Sequence, residues 1–189
     1  AVVTDEHSGE MTGTVLPVKG WLEKRKKIER KCGEKTQGSF EVTGIARGEK
    51  AVWIPDSVSK VRTVMLQRYA VDINQHYFSH VDFAQSEGVD GPSAGVTMTL
   101  LLCSLIEGKP LRQDVAVTGE INVGVGDKIG ITAVGGVHEK IRAAEAWKFK
   151  KVVIPTKNLK YSVNPKDYTI EVVGAETLDD YLRECLISE

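Results

Sequence analysis

The sequence predicts the α/β class, with strands and helices layered in an α+β manner, and three observations carry that prediction. From residue 50 onward, β-branched runs alternate with segments in which apolar residues recur every three or four positions. Glycine- and proline-containing stretches, Glu87 to Pro92 and Gly135-Gly136 among them, separate several of these segments. The last helical segment opens on a capping-box pattern, Thr177 with Asp180 three residues on, and buries Leu178, Tyr181, Leu182 and Cys185. A chain of 189 residues fits one such domain, or one with a small appendage.

Residues 1–49 read as a β-rich N-terminal part of the same domain, and residues 50–189 as its core. Thr14 to Val18 and Ser39 to Ile45 have strand-like content, punctuated by Gly13, Gly20, Gly38 and Gly44. Between them the run Lys19 to Lys35 holds eight basic and three acidic residues. A solvated hairpin arm or exposed helix is expected there, not a nucleic-acid patch. After Pro55-Asp56-Ser57, the spacing of Val58, Val61, Val64, Met65 and Tyr69 predicts a helix. Ser79 to Phe83 alternates as a strand with Val81 and Phe83 on one face. A loop, Glu87 to Pro92, opens an apolar helix from Ser93 to Glu107. Asp114 to Ile121 is expected as one strand, and Asn122 to Val134 as a hairpin or excursion. Gly135-Gly136 precedes a helix reaching about Phe149, followed by strands at Lys151 to Ile154 and Thr169 to Val173.

Composition excludes several classes. A formal net charge of −1 gives no large uniform field for nucleic acid or anionic membrane. Cys32, Cys103 and Cys185 cannot all pair, and their scatter suits a reducing compartment, so a cytoplasmic location is expected. The apolar stretch Val96 to Ile106, broken by Thr97, Thr99 and Ser104, is too short to span a bilayer. Ala1 to Glu10 carries acids and no apolar signal region. The absence of an initial methionine suggests a processed product or a piece of a longer protein, and that longer protein could be membrane-associated.

The chemistry-bearing segment is Glu87-Gly88-Val89-Asp90-Gly91-Pro92-Ser93-Ala94-Gly95. Ser93 falls where a helix starts, so free amides and the positive end of the helix dipole favour developing negative charge beside it. A serine there can attack a carbonyl while amides hold the oxyanion, and small neighbours leave room for a peptide backbone. The same position also suits a plain helix N-cap. For a base, no histidine of His7, His76, His80 and His138 has an evident aspartate partner. A lysine can serve if burial lowers its pKa from roughly 10.4. Lys140 follows Gly135-Gly136-Val137 in the first turns of a helix, with Ala143, Ala144 and Trp147 along its side and Val137 and Ile141 adjoining. A lysine whose stem is buried and whose ammonium reaches water fits that pattern as well.

Three blocks in order settle the choice by resemblance: Asp90-Gly91-Pro92-Ser93-Ala94-Gly95, then Asp114-Val115-Ala116-Val117-Thr118-Gly119-Glu120-Ile121, then Val134-Gly135-Gly136-Val137-His138-Glu139-Lys140-Ile141-Arg142-Ala143-Ala144, with Val152-Val153-Ile154-Pro155 behind them. Together they closely resemble the Lon protease proteolytic domain. The resemblance implies that family's fold, a mixed sheet with flanking helices, and a serine endopeptidase cleaving unfolded polypeptides through an acyl-enzyme. It matches Ser93 to the nucleophile and Lys140 to the base of a Ser-Lys dyad. Thr118 matches a hydroxyl that hydrogen-bonds the lysine, and Asp90 a third polar partner. A carboxylate near Lys140 would keep it charged, so Asp90 is expected to modulate activity or to mark an inactive arrangement. The family also implies a homo-oligomeric ring, usually of six subunits. ATP and Mg belong to an AAA+ unfoldase segment outside this chain, because no G-x-x-x-x-G-K-[ST] loop is present and Gly124-Val125-Gly126-Asp127-Lys128 lacks its spacing and hydroxyl. No cofactor is expected in this domain. Two features depart from the family pattern: a longer stretch from Thr118 to Gly136, and the N-terminal part.

Two rival readings are weighed against this one. His76 and His80, with Asp82, have a metal-like spacing, but they straddle a helix end and a strand start with no glutamate base between them, and no metal site is expected. The other rival is a Lon-like binding module of a DNA-repair or competence ATPase. Such a module would be expected to lose the serine or the lysine, and this chain keeps both.

Overall fold

The computed structural model describes residues 1–7, 10–25, 38–45, 53–84, 91–124 and 128–187. Among these residues ten strands form four small sheets, accompanied by six α-helices. β1 (Val2–His7) and β2 (Glu10–Val15) make an antiparallel hairpin. β3 (Val18–Lys24) runs antiparallel, and β4 (Ser39–Thr43) parallel, to β5 (Tyr77–Phe83), so the second sheet is mixed. β6 (Val115–Val117), β9 (Lys151–Pro155) and β10 (Glu171–Ala175) form a parallel sheet with β9 central. β7 (Glu120–Asn122) and β8 (Gly130–Thr132) form a short hairpin. The architecture is the layered α/β class that the alternating pattern predicts.

The helices are α1 (Ile54–Tyr69), α2 (Ile73–His76), α3 (Ala94–Glu107), α4 (Val137–Ala146), α5 (Thr156–Tyr161) and α6 (Leu178–Cys185). Pro55 sits in the first turn of α1, where its missing N–H costs no bond. The first seven residues of α3 are all buried, so this helix is the hub of one core cluster, with Val61, Val64, Met65, Phe83, Tyr181 and Leu182 around it. A second cluster unites α4 with β9 and the β1–β2 hairpin through Val2, Val15, Ile141, Ala144, Val152 and Ile154. The capping box opens α6: the Thr177 hydroxyl accepts the Asp180 amide, and the Asp180 carboxylate accepts the Thr177 amide.

Four expectations need correction. The strand expected over Thr14 to Val18 is two strands, broken at Leu16-Pro17. The first six residues of the charged run, Lys19 to Lys24, are neither arm nor helix but lie in β3, with Val18, Gly20 and Leu22 half-buried and Lys19, Trp21 and Glu23 exposed. The rest of that run lies outside the described residues, apart from Arg25. Asp114 to Ile121 is not one strand: β6 and β7 belong to different sheets and part at Thr118-Gly119. The helix expected to reach Phe149 stops at Ala146, where Lys148 turns to φ 59° and leaves Trp147 59% exposed, off the buried side of the helix.

Candidate active site

Ser93 immediately precedes α3 and has helical backbone angles, φ −68° and ψ −13°. An N-cap serine instead takes extended angles and turns its hydroxyl back to an amide of the first turn. Ser93 makes no such bond. Its half-buried hydroxyl therefore has no capping role.

The turn is held from across the fold. The Ser93 carbonyl accepts the Gly119 amide at 3.4 Å, and the Gly119 carbonyl accepts the Val96 amide at 3.3 Å. Ser57, buried in α1, donates its hydroxyl to the Pro92 carbonyl at 3.5 Å. A methyl group on Gly119 would stand 2.9 Å from Val96 Cγ2 and 3.0 Å from both Ile131 Cγ2 and Tyr181 Oη. Only glycine lets the Thr118-Gly119 segment come this close to α3.

Thr118 is fully buried in that segment. Its amide donates to the Val153 carbonyl at 3.2 Å, and its own carbonyl accepts the Tyr181 hydroxyl at 2.8 Å. Its Oγ1, like that of Thr97, is buried without a hydrogen-bond partner among the described residues. Such a group costs about 1–3 kcal/mol, so a folded protein keeps one only for a reason.

Lys140 lies in the first turn of α4, which departs from Gly136 at φ 59°. The lysine is 3% exposed and sits among Val137, Ile141, Ala143 and Ala144. Burial, opposed only by the charge of Glu139, pushes its pKa down to about 8. Lys60 and Lys151 behave in the opposite way. Each is bonded to two carboxylates, Asp56 and Glu120 or Glu171 and Glu184, and each is pushed up. Among the described residues Lys140 Nζ has no hydrogen bond or ion pair, although the backbone amide of Lys140 bonds the Gly136 carbonyl. A snorkelling lysine would keep its ammonium in water or on a partner.

Ser93 and Thr118 thus belong to one backbone-bonded unit. α4, which carries Lys140, packs on β9, the strand whose Val153 carbonyl receives the Thr118 amide. Asp90 lies outside the described residues. His76 and His80 fall on different elements: His76 ends α2, and His80 lies in β5 with its Nε2 2.8 Å from Thr43 Oγ1. Among the described residues no group of three or more His, Cys, Asp or Glu is placed to hold a metal. No helix of the described residues is long and apolar enough to cross a membrane.

Sequence reasoning passed over Asn158 and Tyr181. Both are polar groups buried by partners distant in sequence, and a buried polar residue leaves no periodic trace. Tyr181 entered only as an apolar position of α6.

The chain belongs to the family of Lon protease C-terminal proteolytic domains, whose model matches residues 28–188. It is a protease domain of that family. Among its relatives, the archaeal Lon protease of Pyrococcus abyssi is 35% identical over 182 residues, 95% of this chain and 17% of that protein. That of Thermococcus kodakarensis is 34% identical over 181 residues, 94% of this chain and 26% of that protein. Lon protease 2 of Bacillus subtilis is 32% identical over 163 residues, 80% of this chain and 28% of that protein. The chain therefore spans between 17% and 28% of the length of these three relatives. The match to P. abyssi covers 95% of the chain and takes in most of the N-terminal part that departed from the family pattern.

Proposed function

We propose that this chain carries the peptide-bond hydrolysis of a longer, ATP-dependent Lon-type protease, with Ser93 as nucleophile and Lys140 as general base. The observation that carries the reading is a buried lysine whose ammonium has no partner among the described residues and whose pKa is lowered to about 8, in a domain whose helix-start serine caps nothing. Neutral Lys140 Nζ takes the proton of the Ser93 hydroxyl as Ser93 Oγ bonds to the scissile carbonyl carbon. The tetrahedral oxyanion collapses, the C–N bond breaks, and Lys140 returns the proton to the leaving amine. Water then attacks the acyl-enzyme, giving a proton to Lys140. The Oγ–C bond breaks and Ser93 is reprotonated. Thr118 Oγ1, without a hydrogen-bond partner among the described residues, is left to accept an N–H of Lys140 during the reaction and direct its lone pair toward Ser93. Asp90 acts as a brake wherever it reaches Lys140, because a carboxylate there keeps the amine charged.

Substrates in this reading are unfolded polypeptides. They are delivered by an AAA+ segment that holds ATP and Mg outside this chain, to a homo-oligomeric ring of six. Residues 1–49 form one unit with the core, a reading supported by β3 and β4 flanking β5. The free, buried thiols of Cys103 and Cys185 suit a cytoplasmic location.

The test is intact mass after exposure to a fluorophosphonate at pH 8. One adduct per chain, absent from Ser93→Ala, is expected. An adduct that persists in Ser93→Ala would sink the assignment.

A further inference from the structure

Asn158 is 5% exposed, and both ends of its side-chain amide are engaged by one residue. Its Nδ2 donates to the Val134 carbonyl at 2.9 Å, and its Oδ1 accepts the Val134 amide at 2.9 Å. The side chain pairs with Val134 as a neighbouring strand would. Val134 precedes Gly135-Gly136, and the Gly136 carbonyl accepts the Lys140 amide at 3.1 Å. Asn158 itself is fixed in α5, which follows Pro155 at the end of β9 without a break. An unbroken chain of bonded groups therefore runs from β9 through Asn158 and the glycine turn to the backbone of Lys140.

The first turn of α4 is also held from its other side. A methyl group on Gly13 of β2 would stand 2.0 Å from the Glu139 carbonyl oxygen, so the hairpin backbone lies directly against the residue before Lys140. Close packing of Gly13 on Glu139 and the Asn158 bonds to Val134 together restrain the helix start.

We infer that Asn158 is a positioning residue for Lys140, setting where the base stands relative to Ser93 by clamping the Val134-Gly135-Gly136 turn. This rests on the reading of Lys140 as the base. The chemistry asks for such a clamp: a misplacement of about 1 Å at a reacting group can cost about 100-fold in rate. Lys140 has no ion pair among the described residues to hold its head in place, so its backbone must do so.

Among the described residues few charged groups lie on the elements packed against α4. Glu139 acts on Lys140 from α4. On β9, Lys151 is tied to Glu171 and Glu184. The described side chains of β1 and β2, Val2 and Thr12 to Val15, carry no charge. A change in the pH profile after mutating Asn158 therefore reports a displaced lysine or a changed approach of Asp90, not a lost described partner.

The experiment uses the protein at its natural length, with ATP, Mg and a fluorogenic peptide, and compares wild type with Asn158→Asp and Asn158→Ala. Asn158→Asp keeps the acceptor for the Val134 amide and loses the donor to its carbonyl. The kcat is expressed per site titrated by fluorophosphonate, so a loss of folded molecules does not count. Both variants are expected to lose about 10- to 100-fold in kcat with KM within about twofold, Asn158→Asp less than Asn158→Ala. The rising limb of the rate against pH should move away from its wild-type midpoint. A variant with wild-type kcat per titrated site and an unmoved limb would overturn the inference. So would both variants failing to fold by near-UV circular dichroism, since Asn158 would then serve the fold rather than Lys140. If wild type shows no rising limb, or Lys140→Met keeps its turnover, the base assignment itself has failed, whatever Asn158 does.

Discussion

Gly119 and Ser93 are joined by a backbone hydrogen bond of 3.4 Å, and the Gly119 carbonyl bonds one turn into the same helix at Val96. The Ser93 turn is thereby locked to the segment that carries Thr118, so a change at Gly119 is felt at both. Gly119→Ala places a methyl 2.9 Å from Val96 and 3.0 Å from Ile131 and Tyr181. It should lower stability by about 1–3 kcal/mol, the range for overpacking a filled core. Turnover should fall further than the loss of folded protein explains. Urea denaturation together with kcat per titrated site measures both, and unchanged values would refute the lock.

Lys140→Met should separate stability from activity. Burial lowers the folded-state pKa from 10.5 to about 8, so the folded state holds its proton less tightly than the unfolded state. The resulting penalty is full below pH 8 and fades as pH rises toward 10.5. At neutral pH it amounts to about 3 kcal/mol. Lys140→Met should therefore be more stable than wild type by up to about 3 kcal/mol at pH 7, with the difference closing above pH 10 and turnover abolished. Equilibrium unfolding from pH 6 to 10.5 tests this. A variant less stable than wild type at pH 7 would show that Lys140 stabilises the fold.

Thr118→Val exchanges the orphan hydroxyl for a methyl of similar size. With no partner to lose, stability should rise by about 1–3 kcal/mol. If the hydroxyl directs Lys140 during the reaction, kcat should drop about tenfold with KM little changed. Thermal unfolding and steady-state kinetics decide the matter. A variant that is destabilised and fully active would remove Thr118 from the site.

Much of this was legible in the sequence wherever a local rule and the final fold agree. Pro55 marks the start of α1, and Thr177 with Asp180 marks that of α6, because both signals act within one helical turn. The break at Thr118-Gly119 was not legible, since Val115, Val117, Thr118 and Ile121 give strand character on both sides of a single glycine. It is the approach of Val96, Ile131 and Tyr181, from three other segments, that divides the run. β3 was masked differently: its alternation of Val18, Gly20 and Leu22 with Lys19, Trp21 and Glu23 is present, but the charge density around it reads as a solvated arm. Ser93 was visible as a residue at a helix start, and the structure adds that it does not cap. Lys140 was visible on an apolar stripe, and the structure adds that it is buried without a partner among the described residues. Asn158 had no sequence signal, because its role depends on Val134, 24 residues away.

The account stands or falls on the pH dependence of Ser93 acylation by a fluorophosphonate, measured as a single-turnover rate from pH 6 to 10 in wild type and Lys140→Met. It predicts a rate that climbs through a midpoint near the lowered lysine pKa of about 8 in wild type, and a rate lower by orders of magnitude in Lys140→Met. A wild-type rate that stays flat from pH 6 to 9, or a Lys140→Met rate close to wild type, would contradict it.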